Sequence, residues 1–317
     1  MGVTNAAWLR RPATLRRLAL ASLIANVAIV VTGGAVRLTG SGLGCPTWPS
    51  CTDASLTPTK AYAVHGIIEF TNRQLTFVLT ALVLATLLVA VLARRQVKLA
   101  VLLAASIPAQ AVLGGITVLT KLNPWTVAAH FLLSMAILAV AFALWWRAGG
   151  DAPAGLRSAN LRVAARPAGL RAAAWAMLAL TATVLAIGTV VTGSGPHAGD
   201  KGATHRIGFD PAAVSQLHAD LVMLLIGVSL GFAVLAQAAG ASARLRRAGW
   251  MLVAVELAQG LIGFVQYFTH VPAVLVGVHM LGACLVWLAA LTVLAETAVT
   301  PAGNEPSATR TLAAQRR

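Results

Sequence analysis

The sequence predicts an all-α polytopic membrane protein of eight transmembrane helices, arranged as two pseudo-symmetric four-helix bundles. Three observations predict it: the apolar content of the chain, the alternation of its basic residues along the sequence, and an internal repeat. Of 317 residues, 58% are hydrophobic and only 10% charged, with a mean hydropathy of +0.80. Such a chain cannot cover itself with a polar surface, so a bilayer is its expected solvent.

A hydrocarbon core of about 30 Å takes about 20 apolar residues of helix. Eight stretches qualify, at 18–36, 62–92, 98–119, 126–146, 172–191, 212–238, 248–268 and 272–294. The first follows Arg10, Arg11, Arg16 and Arg17, as the core of a secretory signal would. No small-residue cleavage pattern follows it, and the run continues into Val31-Thr32-Gly33-Gly34-Ala35-Val36-Arg37, so it reads as helix one.

Basic residues sort these spans. Arg94, Arg95 and Lys98, then Arg147, Arg157, Arg162, Arg166 and Arg171, then Arg244, Arg246 and Arg247, and last Arg310, Arg316 and Arg317 fall on the side of the amino terminus. The opposite side holds only Arg37, Lys60, Lys121, Lys201 and Arg206, and Arg73 lies inside a helix. The positive-inside rule then puts both termini in the cytoplasm of a multi-pass plasma-membrane protein, with segments 37–61, 120–125, 192–211 and 269–271 outward. The net charge of +15 is thereby a topology signal, and no nucleic-acid partner is expected.

Cys45 and Cys51 lie in the first outward segment, separated by Pro46-Thr47-Trp48-Pro49-Ser50. An oxidising compartment and two prolines that bend the loop predict a disulfide. Cys284, in helix eight, reads as a small buried apolar residue.

Thr39-Gly40-Ser41-Gly42 recurs as Thr192-Gly193-Ser194-Gly195, an offset of 153. Ala109-Gln110 with Gly114 recurs as Ala258-Gln259 with Gly263, and His130 recurs as His279, both at an offset of 149. The chain therefore divides into an amino-terminal half at 1–147, a cytoplasmic linker at 148–171, a carboxyl-terminal half at 172–296 and a cytoplasmic tail at 297–317. Duplicated bundles commonly place sites at equivalent depths.

Of seven histidines, His197, His205 and His270 fall in outward segments. His65, His130, His218 and His279 fall in the first two turns of helices two, four, six and eight, all of which begin at the outer surface. A single helix histidine is most often a structural hydrogen-bonding group. Four in one depth band of a duplicated bundle point instead to a cofactor held between facing helices, and imidazole is a good axial ligand for haem iron. Zinc would call for closer spacing or cysteines in the set. On helix two, His65, Glu69 and Asn72 stand at i, i+4 and i+7, on one face, with Arg73 beside them. Glu69 either pairs with Arg73 or a buried water, or serves beside a cofactor as a proton acceptor or a stabiliser of developing positive charge. Asp220 and Glu256 read as structural or proton-path groups.

The loop Arg37-Leu38-Thr39-Gly40-Ser41-Gly42-Leu43-Gly44-Cys45-Pro46-Thr47-Trp48-Pro49-Ser50-Cys51, followed by Ile68-Glu69-Phe70-Thr71-Asn72-Arg73, resembles the bacterial haem A synthase family. The similarity runs over all eight helices, including Ala129-His130-Phe131 and Val278-His279-Met280. The resemblance implies an oxidoreductase that turns a ring methyl of haem O into a formyl group by successive hydroxylations, with water as oxygen source, giving haem A for cytochrome c oxidase. It implies haem b, with its iron, between His218 and His279. The substrate haem O then falls to the amino-terminal half with His130 as ligand, Glu69 as the residue required for turnover, and Asn72 and Arg73 in the pocket. It also implies a complex with the protohaem farnesyltransferase that makes haem O and with cytochrome oxidase assembly factors.

Two departures from the family pattern stand out. Many members carry histidine where Asn72 stands, which leaves His65, aligned with His218 by the offset of 153, as the alternative partner of His130, or leaves His130 as the sole ligand. Segment 192–211 also lacks a cysteine pair. The rival functional class is a two-haem, quinol-linked electron carrier, for which four histidines would suffice but Glu69 and the cysteine loop would be superfluous. A transporter is the third class, and the outer position of the polar groups speaks against it.

Overall fold

The structure, a computed structural model, describes residues 8–59, 63–149, 168–197, 199–200 and 205–298. Lys60, Arg157, Arg162, Arg166, Lys201, Arg310, Arg316 and Arg317, most of the 148–171 linker and nearly all of the 297–317 tail lie outside the described residues. Among the described residues there are eight helices: α1 (Pro12–Leu38), α2 (Ala63–Leu92), α3 (Val97–Leu119), α4 (Pro124–Ala148), α5 (Ala168–Ser194), α6 (Pro211–Ala238), α7 (Ala243–Phe268) and α8 (Ala273–Ala298). All eight are long and apolar enough to cross a membrane, and the protein is a multi-pass membrane protein.

Helices α1, α5 and α7 begin four to six residues before the apolar runs they contain. Hydropathy marks only the hydrocarbon core, whereas backbone N–H and C=O groups remain best satisfied within a helix through the interface, where arginines extend toward water. Proline opens α1, α4 and α6, at a position whose N–H has no helical partner. The Asn123 side chain accepts from the Trp125 amide, that of Asp210 from Ala212 and Ala213, and that of Ser242 from Leu245, which caps α4, α6 and α7.

Helices α1 to α4 close a ring in which α1 touches α2 and α4 while α3 touches α2 and α4; α5 to α8 close a second ring in the same order. The diagonal pairs α2 with α4 and α6 with α8 make no backbone contact, so each ring surrounds an interior that side chains must fill. Side chains such as Phe77, Leu261 and Val274 are exposed on the outer faces, the surface that hydrocarbon covers. Inside, Ser22 of α1 and Thr86 of α2 share a hydrogen bond of 2.9 Å, and the Asn26 amide donates to the Ser22 carbonyl.

The two rings meet along α1, α4, α5 and α8. A Cβ at Gly34 of α1 would lie 2.5 Å from the Met280 sulfur of α8, so this glycine permits the close approach. The Trp287 indole of α8 donates to the Met135 carbonyl of α4 at 2.8 Å. At the helix ends opposite the amino terminus, the Arg37 guanidinium donates to the carbonyls of His197 and Thr192, and the Gly42 amide donates to the Gly199 carbonyl.

Trp287→Phe keeps most of the ring volume and removes one buried inter-ring hydrogen bond. It is expected to lower stability by about 1 kcal/mol, read as a drop in the thermal unfolding midpoint in detergent. An unchanged midpoint would mean that the indole contributes packing alone.

Candidate functional site

The three helix histidines at equivalent positions share one setting. His130 is the seventh residue of α4, His218 the eighth of α6 and His279 the seventh of α8. Each ring presents its Cε1 edge to a glycine of the preceding helix. A Cβ at Gly114, Gly188 or Gly263 would lie 3.1, 3.2 or 3.2 Å from the Cε1 of His130, His218 or His279, respectively. Any larger residue there would push the ring toward the bundle axis. The Nδ1 atom of each ring is buried without a hydrogen-bond partner, and the Val184 carbonyl lies beside the His218 ring. His218 and His279 stand on α6 and α8, whose backbones do not touch.

Two of the helices that bear a glycine seat, α3 and α7, also brace the helix that follows. The Gln110 amide of α3 donates to the His130 carbonyl at 3.0 Å and to the Ser134 hydroxyl, and the Gln259 amide of α7 donates to the His279 carbonyl at 2.8 Å. In both glutamines Oε1 is buried without a partner. The Gln259 amide fills the notch left by Gly282, one turn beyond His279. The repeat of Ala-Gln with a glycine five positions on is therefore a brace and a seat for one histidine. Sequence reasoning registered the repeat without the reason for it.

Helix α2 is built differently. His65 is its third residue and exposed, and its Nδ1 pairs with the Ser41 hydroxyl at 2.9 Å. It does not share the setting of the other three. Asn72 instead faces a glycine of the preceding helix: a Cβ at Gly33 would lie 3.9 Å from Asn72 Nδ2, and Asn72 Oδ1 is buried without a partner.

Glu69 is 5% exposed and both its oxygens are engaged. Oε1 pairs with the Arg73 guanidinium at 2.6 Å, and Oε2 accepts from the Cys45 amide at 2.6 Å. Of the readings open for Glu69, the pairing with Arg73 is present. Arg73 reaches further, donating to the carbonyls of Cys45, Thr47 and Ser50. Its planar fork of five N–H donors suits it to gather several carbonyls at once. Cys45 and Cys51 form a disulfide, so Arg73 stands inside a closed loop and holds it by its backbone.

That loop covers the end of the first bundle opposite the amino terminus. The Trp48 ring lies on Gly115 of α3, where a Cβ would come within 2.5 Å of the indole, and Gly44 lies against the His65 carbonyl. Spacing alone carried no sign of the Trp48 contact, because Gly115 and Trp48 are far apart in sequence. Among the remaining polar groups, Asp220 is exposed and accepts from Gln216 at 2.7 Å. Glu256 is buried and accepts from the Ser229 hydroxyl at 2.8 Å, and Cys284 is free and buried.

The residues present fit haem better than a protein-caged ion. Among the described residues no group of three or more His, Cys, Asp or Glu side chains converges. What the second bundle offers is a pair of half-buried imidazoles with buried, unpartnered Nδ1 atoms, on helices whose backbones do not touch, with a glycine behind each ring. A planar ligand with two axial positions uses such a pair.

A family model described as Cytochrome oxidase assembly protein matches residues 16–291. No individual curated protein matches the chain.

Arg73→Met leaves the buried Glu69 carboxylate without its cation and the loop carbonyls without their donor. It is expected to cost about 3 kcal/mol and to open residues 43–59 to protease, measured by thermal unfolding and limited proteolysis. The double variant with Glu69→Gln should lose less than the sum of the two single changes. Strict additivity would show that the two side chains do not act as a pair.

Proposed function

The chain belongs to the COX15-CtaA family of cytochrome oxidase assembly proteins, and from that premise we propose that it is a haem A synthase. The reaction converts one ring methyl of haem O to a formyl group with one water, releasing four protons and passing four electrons, in successive two-electron steps, to an external electron acceptor. The observation that carries the reading is the combination of three glycine-seated imidazoles, one in the first bundle and two in the second, with a disulfide-closed loop fixed over only the first. An electron carrier needs the imidazoles and has no use for the loop.

His218 and His279 would hold haem b in the second bundle, where it supplies a one-electron relay for charge leaving the substrate. The substrate haem O belongs to the first bundle, with His130 on its iron. Gln110 and Gln259 fix the two helices that carry His130 and His279, so each ring enters its interior at a set height. Glu69 and Arg73 keep the Cys45–Cys51 loop, and with it Trp48, seated over the first bundle, which limits bulk water there to what the reaction uses. Glu69 is the residue we assign to turnover, acting from a carboxylate that already holds Arg73 and the Cys45 amide.

Expression with a source of haem O, followed by chromatography and mass analysis of extracted haems, tests the activity. Hydroxylated and formyl products are expected, and their absence from a chain that stably binds haem b would favour the electron carrier. Glu69→Gln should retain haem b while slowing formyl formation at least tenfold. His218→Ala and His279→Ala should each abolish the low-spin haem b spectrum. Formation of haem A at the normal rate by Glu69→Gln would leave Glu69 a purely structural role.

A further inference from the structure

All four odd-numbered helices carry a glycine five or six residues short of their outward ends: Gly33 in α1, Gly114 in α3, Gly188 in α5 and Gly263 in α7. Each of these faces a polar side chain of the helix that follows. At three of them the side chain is an imidazole with a buried, unpartnered Nδ1; at Gly33 it is the Asn72 amide, with a buried, unpartnered Oδ1. The fourth setting is thus filled, and by an amide. His65 stands seven residues nearer the outward end of the same helix, a rise of about 10 Å, exposed and tied through Nδ1 to Ser41.

We infer that the amino-terminal bundle is a single-histidine haem site, with His130 on one side of the iron and the Asn72 amide facing the other as a hydrogen-bonding group without ligating it. The inference rests on the haem reading proposed above and narrows its ligand set. Imidazole binds haem iron well, whereas a neutral amide carbonyl suits hard ions and competes poorly for it. What the amide offers is two N–H donors and one acceptor, enough to hold a water or a substrate hydroxyl beside an open coordination position. The two bundles then differ in the way their tasks require. Two imidazoles retain a resident haem, while one imidazole holds a substrate that has to leave.

The test uses the full-length protein in detergent, loaded at both sites with haem b alone as the probe, and reads electron paramagnetic resonance and optical spectra. The expected result is one low-spin haem with two imidazole ligands and one high-spin haem that becomes low-spin when imidazole is added. Asn72→His should convert the second haem to low spin and abolish its response to imidazole, His130→Ala should remove the high-spin signal, and His65→Ala should leave every signal unchanged. Two low-spin haems in the unaltered chain, or a change of spin state in His65→Ala, would overturn the inference and leave the haem A synthase reading standing. A chain that takes up no haem would instead overturn that reading. Should Asn72→His fail to fold, the imidazole titration and His65→Ala decide the matter without it.

Discussion

Hydrocarbon offers no hydrogen bonds, so each polar side chain carried into it must meet another polar group or a ligand, and that constraint orders this structure. The chain keeps most of its intramembrane polarity on inward-facing surfaces. Ser22, Asn26 and Thr86 satisfy one another between α1 and α2, and Glu256 is met by Ser229. Among the atoms left over are Nδ1 of His130, His218 and His279 and the side-chain carbonyl oxygens of Gln110, Gln259 and Asn72, besides Glu256 Oε2 and the side-chain oxygens of Ser194 and Gln266. The three imidazoles lie opposite glycines of the helix before, and Asn72 opposite Gly33.

The two bundles share the seat and the brace and differ in what covers them. Over the first, the charge of Arg73 is spread across three loop carbonyls and one carboxylate, so that loop, ion pair and disulfide form one unit. Segment 192–211 of the second has no cysteine pair; there, the His197 ring reaches the Val271 carbonyl and Ile207 is buried with its amide on the Gly193 carbonyl. A permanent occupant needs a closed pocket and nothing more. A passing one needs a cover whose hold on the bundle is polar and local.

Much of this was legible in the sequence, for identifiable reasons. Helix number and order follow from runs of apolar residues, because hydrocarbon thickness sets a minimum length that soluble helices rarely meet. The disulfide between Cys45 and Cys51 followed from compartment and loop bend. The repeat was legible too, but as arithmetic: offsets of 153 and 149 say that residues correspond without saying what they touch. The offset of 153 paired His65 with His218, and here alignment and geometry part. Helix α2 begins with residues that serve the loop, so the setting equivalent to His218 falls further along at Asn72. Side-chain direction around a helix, the identity of the group behind each ring and the threading of Arg73 through a loop more than 20 residues earlier all depend on tertiary packing that no local pattern encodes.

Gly114 and Gly115 are consecutive residues with different neighbours. The first backs the His130 ring, and the second lies under the Trp48 ring of the covering loop. A rise of about 1.5 Å separates them along α3, and neither tolerates a methyl group without moving what lies beyond it. The outer cover and the inner histidine therefore rest on one rigid piece of backbone. A side chain added in this stretch meets resistance from two directions at once, and a shift of the cover bears on the residue next to the one that sets the ring, with no flexible segment between to absorb it.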